Sequence, residues 1–290
     1  MALRTSSTWL RAKRLVRCSA LPHNGRSFLR QSLVAASLSV VLLAVSSRAA
    51  AQQSDSLWQD EWNRVTAAEV AISVGLFGAA TLGFLFAVRD DTSWHGGILF
   101  DDAVRNGLTL QSRGGRDASR WISDITLAAE FLYPTAVDAG LIAWLLEEDP
   151  DTAWQILGMD ALSFSVTAAS LVLARIIVNR ERPYVQECAA DPAYSGRCGE
   201  SDHPSFFSGH TAFAFTGAGL VCAHHLNLRL HGGGAPDTIA CVSALVLAAS
   251  TSLLRLFADE HYVSDVLVGA VIGFGSGFVL PTAIHYGFED

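Results

Sequence analysis

The chain has 290 residues, half of which are hydrophobic, and its mean hydropathy is +0.31. So large an apolar fraction disfavours a soluble protein and predicts a membrane protein. The formal net charge of −8 disfavours a nucleic-acid-binding protein, because recognition of a phosphate backbone requires a basic surface.

The first 51 residues differ in charge from the rest of the chain. They contain eight of the twenty basic residues and none of the acidic ones. An apolar stretch over residues 33–45 and three alanines ending at Ala51 complete the pattern of a signal or targeting segment, which we expect to be cleaved after Ala51. An uncleaved anchor helix is the alternative. We expect residues 52–66 to form a polar leader and residues 67–290 to form one domain.

Six apolar segments in this domain predict an all-α fold, a bundle of about six transmembrane helices. They cover residues 70–88, 125–146, 156–178, 211–226, 238–254 and 266–284. The first has nineteen residues and spans about 29 Å as a helix, close to the thickness of a hydrocarbon core. In the last, Gly269, Gly273 and Gly277 recur every four residues, a spacing that predicts close contact with another helix.

Two of the connections between these segments are long and polar. Residues 89–120 hold five arginines among five aspartates, and we expect them to lie along the membrane surface as an amphipathic stretch. The longest loop after this stretch covers residues 179–207 and contains Cys188 and Cys198, ten positions apart. This spacing in a polar loop predicts a disulfide if the loop faces an oxidising compartment.

Four other residues of metal-binding type lie in or next to the apolar segments. We expect Cys222 and Cys241 to be ordinary core residues. His224 and His225 are adjacent, with no carboxylate or cysteine at ligand spacing, and we expect them to lie at the membrane interface rather than to bind a metal.

The first polar cluster is "RIIVNRERPY", in which Arg175 and Arg182 are seven positions apart. This spacing is about two helical turns, so both guanidinium groups can point along one side toward the same anion. A single arginine at the end of an apolar helix can instead extend its charge to the membrane interface, which is the alternative for each.

The second cluster is "HPSFFSGHTAF", which contains Ser208, Gly209 and His210 just before an apolar segment. The first turn of a helix has free backbone N–H groups, and glycine lets an anion approach them closely, so a phosphate site is predicted. A simple helix cap by Ser208 is the alternative.

The third cluster is "LLRLFADEHYVSD", in which Arg255 precedes His261 by six residues and Asp265 follows it by four. Four residues are about one helical turn, so the carboxylate can hold one imidazole nitrogen and leave the other as a base or nucleophile. A surface contact is the alternative, but ionisable groups within a membrane segment are costly and usually functional.

In order and spacing, these three clusters resemble the signature motifs of the type 2 phosphatidic acid phosphatase family, which shares its site with vanadium haloperoxidases. The resemblance covers roughly residues 156–284 and implies an integral-membrane helical bundle with the active site at one end. Three positions depart from the family pattern: Arg175 stands where lysine is usual, Phe207 where proline is usual, and Leu254 where serine is usual.

The resemblance implies a metal-independent phosphatase that hydrolyses a lipid phosphate or diphosphate through a phosphohistidine, with no cofactor and no metal ligand. It implies that His261 is the nucleophile, that Asp265 orients it and that His210 transfers the proton. The phosphate would be bound by Arg175, Arg182, Ser208, Gly209 and Arg255. A vanadate-dependent haloperoxidase and a non-catalytic protein that binds or transports lipid are the alternatives.

Signals in the sequence conflict on which side of the membrane the site lies. We expect a bacterial inner-membrane protein with an extracytoplasmic site, because of the cysteine pair and the family precedent. Cleavage after Ala51 followed by six crossings would place the site in the cytoplasm, and the arginines of residues 89–120 favour the same side.

Overall fold

The computed structural model describes residues 56–87, 92–199 and 204–288. The predicted targeting segment, residues 1–51, lies outside them. The described residues form eight helices and no strand, which confirms the all-α fold. The helices are α1 (Ala67–Phe86), α2 (Asp101–Leu108), α3 (Arg113–Leu132), α4 (Pro150–Val178), α5 (Pro183–Ala190), α6 (Gly209–Leu228), α7 (Ala235–Phe257) and α8 (Val263–Phe274).

Two of these helices continue in the wider π-helical form. Helix α3 continues through Tyr133–Leu146, and α8 continues through Gly275–Val279 and Thr282–Tyr286. All six predicted apolar segments are therefore helical. Within the described part of the chain, five helices are long and apolar enough to cross a membrane: α1, α3 with its continuation, α4, α7 and α8 with its continuations. Many large apolar side chains on their outer faces are exposed, as expected for a membrane protein.

Helix α6, the remaining apolar segment, lies at the centre of the bundle. It contacts α3, α4, α7 and α8, and fifteen of its residues are buried. Its buried positions are mostly small residues such as alanine, glycine and threonine, so four neighbouring helices can approach its backbone closely. The sequence does not distinguish this protein-surrounded helix from its lipid-facing neighbours.

The three regularly spaced glycines of the last segment pack against α6, as their spacing predicts. A Cβ atom at Gly269 would lie 2.8 Å from the carbonyl oxygen of Ser208. At Gly273 and Gly277, a Cβ would collide with the carbonyl oxygens of Ala212 and Thr216. The three glycines and the three carbonyl groups each recur every four residues. A row of glycines on α8 therefore faces a row of carbonyl groups on α6.

The described part of the polar leader, residues 56–66, packs against the end of the bundle where α4 begins. Ser56 Oγ and the backbone N–H of Leu57 each donate to Asp149 Oδ2 at 2.9 Å. Burial alone would raise the pKa of Asp149, but these hydrogen bonds and those from Thr152 lower it. Trp58 is buried in the core at this end. The charged carboxylate therefore caps α4 and holds the leader.

The stretch over residues 89–120, described from residue 92, does not simply lie along the membrane surface. Arg105 in α2 forms two hydrogen bonds of 2.7 Å with the carboxylate of Asp259. Arg116 is buried in α3 and donates to the backbone carbonyl of Tyr194. The stretch therefore packs over the loops at one end of the bundle.

Both pairs of cysteines in the domain form disulfides. The predicted Cys188–Cys198 bond is present. The expectation that Cys222 and Cys241 are ordinary core residues is wrong, because they are also bonded to each other. Helices α6 and α7 are joined by a short turn and pack side by side, so residues 19 positions apart in the sequence face each other.

The predicted interfacial position of His224 and His225 is also wrong. Both side chains are fully buried inside the bundle. His224 lies between Asp160 and Tyr286, with its two ring nitrogens 3.0 Å from Asp160 Oδ1 and from Tyr286 Oη. Carboxylates from other helices provide the polar partners that the neighbouring sequence lacks.

We expect Gly273→Ala to destabilise the bundle by about 1–3 kcal/mol, because the new methyl group would force α8 away from the Ala212 carbonyl. Gly275→Ala is the matched control, since nothing lies within 4 Å of a Cβ at that position. Thermal unfolding in detergent should show a lower midpoint for the first variant than for the second. Equal midpoints would contradict the close α6–α8 contact.

Candidate active site

The three clusters predicted from the sequence meet at one end of the bundle. Helices α1, α4 and α7 end there, whereas α3, α6 and α8 begin there. The second and third clusters are joined directly, because the backbone N–H of Ser208 donates to the carbonyl oxygen of Asp265 at 3.1 Å. The first is joined to the third by Arg182, which donates to Glu260 beside His261.

His261 is buried and is connected to Asp265 through a third side chain. Its Nδ1 lies 3.7 Å from Asp265 Oδ2, too far for a hydrogen bond. Ser205 Oγ lies between them, 3.3 Å from His261 Nδ1, and donates to Asp265 Oδ2 at 2.5 Å. The predicted helical contact is thus replaced by a serine bridge, because α8 begins only at Val263 and His261 precedes it.

The surroundings of His261 favour the neutral imidazole. Burial and the positive charges of Arg182 and Arg255 hold the pKa of His261 well below 6.5. Its ring nitrogens are therefore not both protonated at neutral pH, and one retains a free electron pair. A histidine in this state can act as a nucleophile without first losing a proton.

Arg180 neutralises the carboxylate of Asp265. It is fully buried, and its Nη1 donates to Asp265 Oδ1 at 2.8 Å. Its Nη2 donates to Asp101 Oδ2 at 2.7 Å, and its guanidinium lies 3.9 Å from the centre of the Tyr262 ring. Burial alone would raise the pKa of Asp101, but hydrogen bonds from Arg180 and its other partners lower it. Asp265 is therefore held by a charge network that reaches α2.

His210 has a carboxylate partner that the sequence analysis did not identify. Its Nε2 lies 2.7 Å from Oδ1 of Asp124, which is in α3. The His210 side chain is 28% exposed, so this imidazole is more accessible than that of His261. The site thus contains one buried histidine and one partly exposed histidine, each associated with an aspartate.

Glu260 brings four arginines together next to His261. Its carboxylate is fully buried and accepts hydrogen bonds from Arg182 at 2.5 Å, Arg197 at 2.9 Å and Arg255 at 3.1 Å, all through Oε2. Oε1 accepts from Arg120 at 2.7 Å. Burial alone would raise the pKa of Glu260, but these guanidinium groups lower it far below its ordinary value. Glu260 therefore stays charged and fixes two of the predicted phosphate-binding arginines.

Arg175 and the start of α6 form the other side of the site. Arg175 is buried at the end of α4, and a Cβ at Gly209 would lie 3.7 Å from its Nη2. Ser208 caps α6, since its Oγ accepts from the backbone N–H of Thr211 at 3.4 Å. Both roles considered for Ser208 are therefore compatible: it caps the helix at the place where an anion would meet Arg175.

All eight predicted site residues lie at this end of the bundle, but several of their partners were not predicted from the sequence. Ser205 and Arg180 lie within the quoted clusters, and Glu260 directly precedes His261, so their positions offered a weak signal. Asp124 and Arg120 lie more than eighty residues from the clusters that they contact. Only the packing of α3 against α6 and α7 brings them into the site.

Comparison with protein families agrees with this geometry. The family model described as the PAP2 superfamily matches residues 156–289. No match was found among curated proteins or among solved structures. The matched segment contains all three clusters and both histidines of the site. Residues 156–289 of this chain therefore belong to the PAP2 superfamily.

Proposed function

We propose that the protein is a metal-independent phosphatase that hydrolyses a lipid phosphate or diphosphate monoester through a phosphohistidine intermediate. Membership of the PAP2 superfamily supports a phosphatase-type hydrolase. The observation that carries the mechanism is the buried, neutral His261, which is connected to Asp265 and lies beside the arginines that Glu260 positions.

In the first step, the nitrogen of His261 that faces the substrate attacks phosphorus, and the bond from phosphorus to the leaving oxygen breaks. Asp265, acting through Ser205 at Nδ1, stabilises the positive charge that develops on the imidazole. His210 donates a proton to the leaving oxygen. The products of this step are a phosphohistidine and the free lipid alcohol or lipid monophosphate.

In the second step, water attacks the phosphohistidine, and His210 takes a proton from that water as the nitrogen–phosphorus bond breaks. Inorganic phosphate leaves, and both histidines return to their starting states. Three guanidinium groups, those of Arg175, Arg182 and Arg255, with Ser208 and the backbone N–H of Gly209, would stabilise the charge on the phosphate oxygens in both steps.

The surroundings of His210 support a lipid substrate. Its partner Asp124 is in α3 and is flanked by apolar side chains that point outward: Trp121 is 71% exposed and Ile125 is 65% exposed. A phosphate attached to acyl or prenyl chains could reach His210 from the bilayer while its chains contact this apolar face. A soluble phosphate ester would gain nothing from these contacts.

The proposal is tested by phosphate release from phosphatidate or a polyprenyl diphosphate in detergent micelles, with purified full-length protein. We expect activity that survives EDTA and is blocked by vanadate. His261→Ala should lose it, and Asp265→Asn should lower kcat by about 10²–10⁴-fold, as loss of an orienting carboxylate does in other enzymes.

Other outcomes of this assay support other functions. Bromide oxidation by hydrogen peroxide in the presence of vanadate, without phosphatase activity, would favour a haloperoxidase. Lipid binding without either activity would favour a non-catalytic protein. Full phosphatase activity in correctly folded His261→Ala would contradict the phosphohistidine mechanism.

We expect Glu260→Gln to lower kcat/KM by about 10–100-fold, since hydrogen bonds to charged groups contribute about 1.5–3 kcal/mol each. The neutral amide would no longer balance the buried guanidinium groups of Arg182 and Arg255, which would separate. Inhibition by vanadate should weaken in parallel.

Asp117→Asn is the matched control for Glu260→Gln. Asp117 is a more exposed partner of Arg120, at 3.1 Å, on the outer side of α3. Its substitution removes the same charge without changing the contacts of Arg182 or Arg255. Unchanged kcat/KM in Glu260→Gln, or an equal loss in both variants, would show that Glu260 does not position the phosphate-binding arginines.

We further propose that the site faces the extracytoplasmic side, because the Cys188–Cys198 bond closes the loop between its first two clusters. In protein isolated with thiols blocked at lysis, we expect these two cysteines to be unmodified until a reductant is added. A reporter fused within residues 185–200 should be active only outside the cytoplasm. Free alkylation of both cysteines together with cytoplasmic reporter activity would contradict this facing.

A further inference from the structure

A second cluster of polar side chains lies at the end of α6 opposite the active site. It consists of His225 in α6, His231 in the turn after α6 and Asp237 in the first turn of α7. Each residue offers one nitrogen or oxygen atom, and these atoms all lie within 4.8 Å of one another. Two imidazoles and one carboxylate form a typical ligand set for a transition-metal ion.

The turn between α6 and α7 preorganises this cluster. Gly232, Gly233 and Gly234 have φ angles of +84°, +88° and +70°, which residues with a Cβ rarely adopt. This turn brings the backbone N–H groups of His231 and Gly233 to the carboxylate of Asp237, at 3.0 Å and 2.7 Å. Asp237 is thereby fixed in the position where it meets His225, with 2.7 Å between Asp237 Oδ1 and His225 Nδ1.

The other nitrogen of His225 has the partner that a metal-binding histidine usually has. Asp138 Oδ1 lies 3.2 Å from His225 Nε2, and both side chains are fully buried. Metal-binding histidines commonly donate their second ring N–H to a carboxylate, which fixes the tautomer and the orientation of the ring. With Nε2–H donating to Asp138, a divalent ion would take the place of the proton that Nδ1 shares with Asp237 Oδ1, and Nδ1 and Asp237 would become its ligands.

Charge and access are also suitable for a cation. Asp138 and Asp237 bring two carboxylates to His225, and one divalent ion would balance their charge. Asp138 Oδ2 is buried without a hydrogen-bond partner among the described residues. His231 is exposed and lines a cavity of about 340 Å³ between α3 and α7, so this ligand can be reached from outside the bundle.

We propose that His225, His231 and Asp237 bind one divalent transition-metal ion of the Zn²⁺ class, with water at the remaining position. The exposed His231 side chain would move toward the two buried ligands to complete the site. The sequence pattern predicted no metal ligand here, because the nearest carboxylate ligand is twelve residues from His225, in another helix.

The position of the site assigns it a structural role. His225 is fifteen residues from His210 along α6, or about 22 Å at 1.5 Å per residue, so the ion cannot contact the substrate phosphate. The Cys222–Cys241 disulfide joins the same two helices about one turn deeper in the bundle. The ion would therefore hold the turn between α6 and α7 in place and stabilise the helix pair.

The test uses full-length protein in detergent, purified through a tag without histidines and stripped of metal with EDTA, which is then removed. We expect the wild type to bind about one Co²⁺ per chain, with the visible absorption bands of a four- or five-coordinate ion. Zn²⁺ should displace Co²⁺ and raise the unfolding midpoint, whereas excess Mg²⁺ should do neither.

Variants identify the ligands. His231→Ala and Asp237→Asn should each weaken Co²⁺ binding by more than 100-fold and abolish the rise in midpoint with Zn²⁺. Asp138→Asn should weaken binding by about 10–100-fold, as loss of an outer carboxylate does elsewhere. His95→Ala is the matched control, because that histidine side chain is 61% exposed and lies beside Glu181, outside the cluster.

Absence of Co²⁺ binding in the wild type, or equal affinity in wild type and His231→Ala, would overturn the proposal and leave a buried histidine–carboxylate network without an ion. His231 is exposed, so its substitution should not prevent folding, and circular dichroism checks this. No substrate is present in these measurements. Failure of the phosphatase proposal would therefore leave the result unchanged.

Discussion

The contact between α6 and α8 is the constraint on which the active site depends. Glycines at every fourth position of α8 remove the side chains that would separate it from the carbonyl groups of α6. The two helices therefore begin side by side, and Ser208 at the start of α6 donates to the backbone of Asp265 at the start of α8. Two clusters that are fifty residues apart in the sequence thus share one site.

This arrangement places many charges where water is largely excluded, so each charge needs a partner. Glu260 balances arginines from four parts of the chain, and Asp265 is balanced by Arg180. These carboxylates do more than neutralise charge. Each one fixes the direction of a guanidinium group or an imidazole, and loss of Glu260 would remove a charged partner from four arginines at once.

Helix α6 also connects the two functional regions that we propose. Its first turn carries His210, and its last turns carry His225, so the phosphate chemistry and the proposed metal site lie at opposite ends of one buried helix. Six helices that alternate in direction place the end of α1 at the active site and its beginning at the other end. The active site therefore lies on the side of the membrane opposite to the side on which α1 begins.

The sequence alone predicted the helical fold, which the structure confirms, and eight candidate site residues, which the structure brings to one end of the bundle, because both depend on local features. Apolar runs long enough to cross a membrane predict helices wherever they occur, and phosphate chemistry requires particular residue types at short spacings. The glycine spacing of α8 likewise predicted its close contact. Only the tertiary structure decided the partners: Ser205 between His261 and Asp265, Asp124 beside His210, and arginines from α3 and the disulfide loop around Glu260. It also decided that Cys222 meets Cys241 and that His225 lies between Asp138 and Asp237. These contacts join parts of the chain that are distant in sequence, and the packing of the helices as a whole, which the local patterns do not specify, determines which side chains meet.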